Sequence, residues 1–293
     1  MTSGILLVDK PLGVSSHGVV SMARKALGTK KVGHAGTLDP EASGLLVLGV
    51  GAGTRLLTYM VGLDKTYVAT LRLGYGTTTD DAEGECIDFP EGDLASVSIE
   101  ALDDVLARFR GQISQVPSTF SAIKVEGKRA YDLARSGAEV ELKARPVSVY
   151  RLERGEPERH TGYIDIELTI DCSSGTYIRA LARDIGGALG VGGHLVALRR
   201  SAVGPFDVAD ALSHERIESS GLRGLAESAA LVMTPVRLGQ REVDDLRHGR
   251  AVGVHDWPEG VPLVAIDDAS GQLVAIIECS AGRSRILMGV PEA

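Results

Sequence analysis

The sequence lacks the marks of several large protein classes. Its three cysteines, Cys86, Cys172 and Cys279, lie far apart without a CxxC pair, which argues against a disulfide framework and against a cysteine zinc site. The longest apolar stretch, at 42–53, is broken by glycine and falls short of the roughly 20 residues that a membrane-spanning helix needs. The N-terminus carries no basic segment ahead of its short apolar run, so no secretion signal is predicted. We expect a protein of the cytoplasm with reduced cysteines.

Motifs for cofactors and metals are also missing. The chain has no glycine-rich phosphate loop with a lysine and no HExxH pair, which are typical of nucleotide-binding loops and zinc proteases. Aromatic residues make up only 4% of the chain, so an extensive base-stacking surface is not expected. What is present is ordinary for a folded soluble protein, with 44% hydrophobic and 24% charged residues over 293 positions.

Charge is distributed unevenly along the chain. A formal net charge of -8 argues, as an average, against a nucleic-acid partner. However, 76–104 holds ten acidic and no basic residues, whereas 105–151 holds nine basic and four acidic residues. A polyanion could bind locally, at this basic insert or at a second basic cluster that includes Lys30 and Lys31. Composition alone equally allows both clusters to be ordinary solvated surface.

Hydrophobic periodicity predicts an α+β fold with a largely antiparallel mixed sheet flanked by helices and loops. Period-two alternation at 65–73 places Tyr67 on the inward face of a strand, and alternation at 164–170 predicts a strand that is wet on one side. Ser15 or Ser16 is expected to cap a helix that ends near 27, and Thr176 a helix that ends near 189. Further strands are predicted at 5–9, 44–50 and 195–203, and a short helix at 54–61.

The pattern changes near 234, where short strands joined by turns begin. We predict a large domain at 1–233, which contains the acidic loop and basic insert at about 76–151, and a small β-rich domain at 234–293. About 60 residues make a marginal core, so we expect the small domain to pack against the larger one.

A glycine-rich loop at 33–44 contains the most unusual pattern of the chain. Pro40 follows Asp39 directly and biases it away from helical backbone angles, so its carboxylate lies on a shaped loop before a buried strand. That placement suits a catalytic group. From the pattern alone, Asp39 could equally make an Asx turn or cap a short helix that begins at Pro40.

Five ordered blocks resemble the bacterial TruB-type tRNA pseudouridine synthases, over roughly residues 4–204. The most specific block is HAGTLDPEASGLLVLGVG. The others are LLVDKPLGVSSH, LDKTYVATLRLG, VPSTFSAIKVEGKRAYDLARSG, and IDCSSGTYIRALARDIG followed by VGGHLVALRR. The segment LRHGRAV at 246–252 resembles, more weakly, the PUA-type RNA-binding domain.

The resemblance implies that the chain isomerises uridine 55 in the T loop of tRNA to pseudouridine, with the target base flipped out of the loop. It also implies a pseudouridine synthase fold, no cofactor and no metal. The expected partner is the T-arm stem-loop of tRNA, with no membrane and no obligatory protein partner, and the protein is expected to be a monomer. Two alternatives remain: a non-catalytic protein that binds or folds tRNA on the same scaffold, and a guide-RNA-dependent pseudouridine synthase.

The resemblance also implies roles for individual residues. Asp39 initiates cleavage of the glycosidic bond, by attack at C1′ or at C6 or by removing a ribose proton, and Glu41 is a neighbouring carboxylate without such a role. Arg179 is the arginine that pairs with Asp39. Tyr67 stacks on the target base and is a candidate acceptor of the C5 proton.

Other positions are assigned to the substrate or to its surroundings. His34 matches the residue that contacts the T loop and Leu198 a leucine that lines the base pocket, whereas Lys10 and Pro11 are expected to support the pocket floor. Candidates for contacting the RNA backbone are Lys30, Lys31, Lys124, Lys128 and Arg129. Without the resemblance, Tyr67 and Leu198 would be assigned to the core and Arg179 to the surface. Arg183, one helical turn further on, is expected at the surface.

Overall fold

The computed structural model describes residues 3–89, 92–119, 124–125, 128–129, 142–253 and 256–291. The chain divides into two compact units. One unit comprises Met1–Gly62 and Ala202–Ala293, and the other comprises Leu63–Ser201. No helix among the described residues is long and apolar enough to cross a membrane.

Among the residues that the structure describes, the α-helices lie between the strands and are short. They are α1 (Ser16–Ala26), α2 (Gly53–Met60), α3 (Ile99–Arg108), α4 (Ile178–Ala188), α5 (Leu225–Ala230) and α6 (Gln240–Arg247).

The strands are spread over the whole chain, and several are only two residues long. In the first half they are β1 (Gly4–Lys10), β2 (Val32–His34), β3 (Ala42–Val50), β4 (Lys65–Leu73), β5 (Gly76–Thr77), β6 (Cys86–Ile87), β7 (Gly111–Gln115), β8 (Lys124–Val125) and β9 (Lys128–Arg129). In the second half they are β10 (Arg145–Arg154), β11 (Glu158–His160), β12 (Tyr163–Cys172), β13 (Gly193–Val203), β14 (Phe206–Asp207), β15 (Leu212–Ser213), β16 (Thr234–Leu238), β17 (Pro262–Asp267), β18 (Leu273–Ser280) and β19 (Arg283–Gly289).

In the unit Leu63–Ser201 the strands form a sheet in the order β13-β4-β12-β10-β7. β12 pairs antiparallel with both β4 and β10, and β10 pairs antiparallel with β7. Burial alternates along β4 with a period of two, and the buried set includes Tyr67. α4 packs against β4 and α3 and buries Ile178, Leu181 and Ile185, as its periodicity predicts.

In the other unit, β1 pairs antiparallel with β3 and parallel with β15. The apolar face of α1, with Val19, Val20 and Ala23, packs against Leu46 and Leu48 of β3. β3 is buried on both faces over almost its whole length, which explains its continuous apolar sequence. This core therefore supports the glycine-rich loop that precedes β3.

A separate sheet in the order β16-β17-β18-β19 begins at Thr234. β17, β18 and β19 form the predicted antiparallel meander, and β16 adds a parallel edge. Its core includes Leu238, Val243 of α6 and Ile277. Arg55 of α2 donates to the carbonyl oxygen of Gly289 at 2.7 Å, so this sheet contacts the N-terminal part of the same unit. A domain boundary at 233/234 stays a prediction.

The α+β prediction is confirmed, and most elements end within two residues of their predicted bounds. Ser15 is the N-cap of α1, as expected, and its hydroxyl accepts from the backbone N–H of Gly18. The predicted cap at Thr176 is wrong. Tyr177 is the N-cap of α4 and makes no side-chain cap bond, and the side chain of Gln115 accepts from the N–H of Tyr177.

Candidate active site

The loop that carries Asp39 is held on both of its sides by buried polar side chains. The hydroxyl of Ser16, at the start of α1, accepts from the N–H of Leu38 at 2.8 Å and donates to the carbonyl of Leu38 at 2.9 Å. On the other side, the carbonyl of Pro40 accepts from the N–H of Gly13 at 2.9 Å. Asp39 itself is half-buried. Its backbone is therefore fixed while its side chain remains in part accessible.

Lys10 supports the same loop from within the fold. Its side chain is fully buried, and its ammonium donates to the carbonyl oxygens of Pro11, Val14 and Pro40 at 2.8, 2.7 and 3.2 Å. An ammonium held by carbonyl groups ties two chain segments together, 10–14 and the loop at Pro40. This geometry supports the predicted role of Lys10 and Pro11 beneath the loop.

The other predicted substrate residues of this unit lie on or beside the same strands. His34 ends β2, opposite Leu48 of β3, and is half-buried. Lys30 and Lys31 are exposed in the connection between α1 and β2. Contact of His34, Lys30 and Lys31 with RNA stays a prediction.

In the other unit, the predicted base-pocket residues lie on β4 and β13. Tyr67 is 8% exposed and lies opposite Ile170 of β12. Leu198 is half-buried on β13. The inward direction of Tyr67 follows from its strand period, whereas its stacking on a base stays a prediction.

The start of α4 is fixed by β7. The amide of Gln115 accepts from the N–H of Tyr177 at 2.9 Å and donates to its carbonyl at 3.1 Å. Gln115 is 1% exposed. This pair of bonds satisfies one of the backbone donors that a helix N-terminus leaves open and sets the position of the first turn.

Arg179, in that first turn, forms an ion pair with Asp81. Its Nη1 atom lies 3.0 Å from Oδ2 of Asp81 and also donates to the carbonyl of Thr79 at 3.0 Å. Asp81 Oδ1 additionally accepts from the N–H of Glu83 at 3.1 Å and from the hydroxyl of Thr79. A cation in the first turn of a helix is disfavoured by the macrodipole unless an anion is near, and Asp81 supplies that anion. The pairing of Arg179 with Asp39 stays a prediction.

A second ion pair lies one helical turn away. Arg183 Nη1 is 3.1 Å from Oδ2 of Asp80, and its Nε donates to Asp184 at 2.9 Å. Burial raises the pKa of Asp184, and the charge and hydrogen bond of Arg183 partly offset that rise. The Arg183 side chain is 34% exposed, so it lies at the surface as expected, but its guanidinium is bonded to two carboxylates, a pairing that the sequence did not predict.

Asp80, Asp81 and Gln115 were not predicted as site residues. The acidic loop at 76–104 includes both aspartates, yet Asp80 is only 8% exposed and the Asp81 side chain 15%. One signal was available, namely that two adjacent aspartates match two arginines spaced four apart on a helix. Residues four apart lie on the same helical face.

Some predicted residues cannot be placed in this site. The side chains of Lys124, Lys128 and Arg129 lie outside the described part of the chain. Within the described part, no three His, Cys, Asp or Glu side chains come together as a metal-binding group.

Two sequence profiles match adjoining parts of the chain. Residues 24–178 match the TruB family pseudouridylate synthase (N terminal domain), and residues 179–233 match the tRNA pseudouridylate synthase B C-terminal domain. The first match alone covers more than half of the chain.

Curated proteins with the name tRNA pseudouridine synthase B are similar over nearly the full length. The protein from Leifsonia xyli is 48% identical, covering 99% of this chain and 97% of that protein. The protein from Corynebacterium diphtheriae is 47% identical, covering 94% and 92%.

Solved structures agree on the fold. A chain from a crystal structure of a Cbf5-Nop10-Gar1 complex superposes with a TM-score of 0.73 at 25% identity, covering 99% of this chain and 84% of that one. A chain from an H/ACA RNP bound to a substrate RNA containing 2'-deoxyuridine gives a TM-score of 0.71 at 24% identity, with 99% and 84% covered. Because both profiles match and the relatives are similar over nearly the full length, the chain belongs to the TruB family of pseudouridylate synthases.

Proposed function

We propose that this protein isomerises uridine 55 in the T loop of tRNA to pseudouridine. Its relatives are tRNA pseudouridine synthases by name. The observation that carries the proposal is the double anchoring of the Asp39 loop, through Ser16 to Leu38 on one side and through Lys10 to Pro40 on the other. A carboxylate on a fixed backbone is pre-organised for one reacting atom.

The reaction is a rearrangement in which no atom is gained or lost. The bond between ribose C1′ and uracil N1 breaks, the base turns over, and C1′ is rejoined to C5. C5 then releases its proton, and N1 takes one up. Asp39 begins this sequence by attack at C1′, by attack at C6, or by taking a ribose proton. The reaction is redox-neutral, and we propose that it uses neither a cofactor nor a metal.

Other side chains would prepare the site for the flipped base. A carboxylate in a site from which docked RNA excludes water needs a neighbouring cation, such as a guanidinium, to offset its desolvation. We assign that guanidinium to Arg179, base stacking to Tyr67, and the walls of the pocket to Leu198 and His34. Extruding the base costs a few kcal/mol, which phosphate contacts elsewhere offset.

The first test is conversion of an unmodified T-arm stem-loop RNA by the purified protein alone, with pseudouridine mapped chemically. The wild type is expected to modify one uridine, and Asp39→Asn to modify none, because the amide cannot act as nucleophile or base. Glu41→Gln is the matched control. Glu41 is an exposed carboxyl two residues away, and full activity is expected. Equal conversion by wild type and Asp39→Asn would remove Asp39 from the mechanism.

The same assay separates the alternatives. The solved structures with this fold include chains of multi-protein complexes, so a guide-RNA-dependent enzyme is the second candidate. Conversion of the stem-loop without guide RNA or protein partner would exclude it, and would support an enzyme that needs no protein partner. Tight RNA binding without conversion would instead identify a tRNA-binding or tRNA-folding protein.

A further inference from the structure

Arg183 joins three separate segments of its unit. Its Nη1 atom contacts Asp80 at 3.1 Å, its Nε and Nη2 atoms contact Asp184 at 2.9 and 2.8 Å, and Nη2 also donates to the carbonyl of Val116 at 2.8 Å. Asp80 lies in the turn between β5 and β6, and Val116 directly follows β7. A planar guanidinium with five donors suits such a multiple contact better than an ammonium.

Asp80 adopts an unusual backbone conformation at the centre of this arrangement. Its φ is 61°, in the left-handed region that costs a non-glycine residue free energy unless its surroundings enforce it. Asp80 is 8% exposed, its N–H donates to the carbonyl of Thr77, and its carbonyl accepts from the N–H of Leu195 at 3.1 Å. The turn is therefore held by backbone bonds on two sides and by Arg183 through the side chain.

The two ion pairs are coupled by covalent geometry. Asp80 and Asp81 are adjacent in the turn, and their partners Arg183 and Arg179 are four residues apart on one face of α4. A shift of Asp80 relative to Arg183 moves Asp81, and with it the carboxylate and the Thr79 carbonyl that both hold Nη1 of Arg179. Arg179 thus depends for its orientation on a pair that it does not touch.

We propose that Asp80 and Arg183 are positioning residues for catalysis: their ion pair fixes the turn that carries Asp81 and so orients the guanidinium of Arg179. This inference rests on the function proposed above. We expect a larger effect on rate than on stability, because the Arg183 side chain is 34% exposed and solvent weakens an ion pair that has an exposed partner. Small displacements near reacting groups, in contrast, change rates strongly.

The test compares Asp80→Asn, Arg183→Gln, Arg183→Lys and the double variant Asp80→Asn/Arg183→Gln. Asparagine tolerates the left-handed backbone, so Asp80→Asn removes the charge without straining the turn. The measurements are the single-turnover rate at saturating T-arm RNA, the RNA dissociation constant and the melting temperature.

Asp80→Asn and Arg183→Gln are each expected to lower the single-turnover rate by roughly 10- to 100-fold, with the dissociation constant unchanged. The double variant should be no slower than the slower single variant, since both changes remove the same interaction. Arg183→Lys should recover part of the rate, because it restores the cation. Asp103→Asn, which breaks an exposed Asp–Arg pair with Arg154 in the same unit, is the control and should keep the full rate.

Wild-type rates in both single variants would overturn the inference, as would a loss of rate that follows the melting temperature and is not relieved by Arg183→Lys. If the wild type converts the RNA and Asp39→Asn does not, either result refutes only the positioning role. If the wild type itself fails to convert the RNA, the proposed function fails and the positioning role fails with it.

Discussion

At the scale of single residues, the buried cations of this protein are held by backbone carbonyl groups as well as by carboxylates. Lys10 donates to carbonyls of three residues, and Lys65 donates to the carbonyl of Leu63. Such bonds position a chain segment without neutralising the charge. Burying such a charge changes the stability of the protein with pH, and this effect is clearest at Lys65. Lys65 begins β4, two residues before Tyr67.

Lys65 is expected to make the stability of the protein depend on pH above neutrality. Burial, aided by the charge of Arg200, lowers the pKa of Lys65 from its ordinary value of 10.5 to about 8. Between these two values the unfolded chain binds the proton and the folded protein does not, so the free energy of unfolding rises with pH in that window. Below the window, the buried charge costs stability.

Urea unfolding of wild type and Lys65→Met at several pH values between 7 and 10 tests this prediction. The stability of the wild type relative to the variant should increase as the pH passes 8. Burial raises the pKa of Cys172 to about 12, which lowers stability above about pH 9, so the rise between pH 8 and 9 is the diagnostic part of the comparison. A difference that stays constant with pH would show that Lys65 titrates normally.

The sequence predicts the environment of a residue correctly where a local pattern sets it. It does not predict contacts that depend on a partner far away in the chain. Tyr67 was correctly placed on the inward face because alternation along one strand sets the direction of every side chain. The ion pair of Arg183 was not predicted, because its partner Asp80 lies 103 residues away. Two adjacent aspartates can match two arginines four apart on a helix, but this spacing does not by itself show that the turn and the helix meet.

Among the secondary-structure elements, strands follow from local pattern, whereas some helix ends depend on residues far away in the sequence. β4 was predicted with its observed bounds, 65–73. The cap of α4 was not, since Gln115 supplies it from a strand 62 residues earlier. A cap supplied by the residue that precedes the helix, such as Ser15 at α1, can be predicted from the sequence. A bond to the helix start from a side chain of another strand forms only through tertiary packing.

Two neighbouring glycines near the end of α4 offer a controlled test of how tightly this helix packs. A Cβ added at Gly186 would lie 2.2 Å from the backbone nitrogen of Gly193, at the start of β13. At Gly187 an added Cβ would meet nothing within 4 Å. Both residues are helical, so the two substitutions share the same gain in helix propensity.

Gly186→Ala is expected to lower the free energy of unfolding by about 1–3 kcal/mol, because β13 or α4 must move to admit the methyl group. Gly187→Ala should raise it by up to about 1 kcal/mol. Chemical denaturation measures both changes, and the rate assay should show a loss only in Gly186→Ala, since α4 carries Arg179 and Arg183. Equal stability of the two variants would mean that helix and strand do not pack as closely as the structure indicates.

For the whole molecule, the net charge of -8 does not show that some charged residues are paired within the fold and others are exposed. Part of the acidic excess is neutralised internally: Asp80 and Asp81 pair with α4, Asp103 with Arg154, and Asp165 with Arg72. Lys30 and Lys31, by contrast, are exposed in the connection before β2. An acidic protein can therefore present a local basic surface to a polyanion, as the proposed tRNA substrate requires.

This proposal predicts a specific salt dependence of RNA binding. Lysines that contact phosphates release counterions on binding, so the logarithm of the association constant falls linearly with the logarithm of salt concentration. Replacing Lys30 and Lys31 together by glutamine should weaken binding of the T-arm RNA and reduce the magnitude of that slope by up to about 2, roughly one for each lost contact.

Arg285→Gln is the matched control, because Arg285 is exposed but already paired with Glu278, and the slope of this variant should equal that of the wild type. Filter binding over a range of potassium chloride concentrations distinguishes the cases; an unchanged slope in the double lysine variant would place the phosphate contacts elsewhere on the molecule.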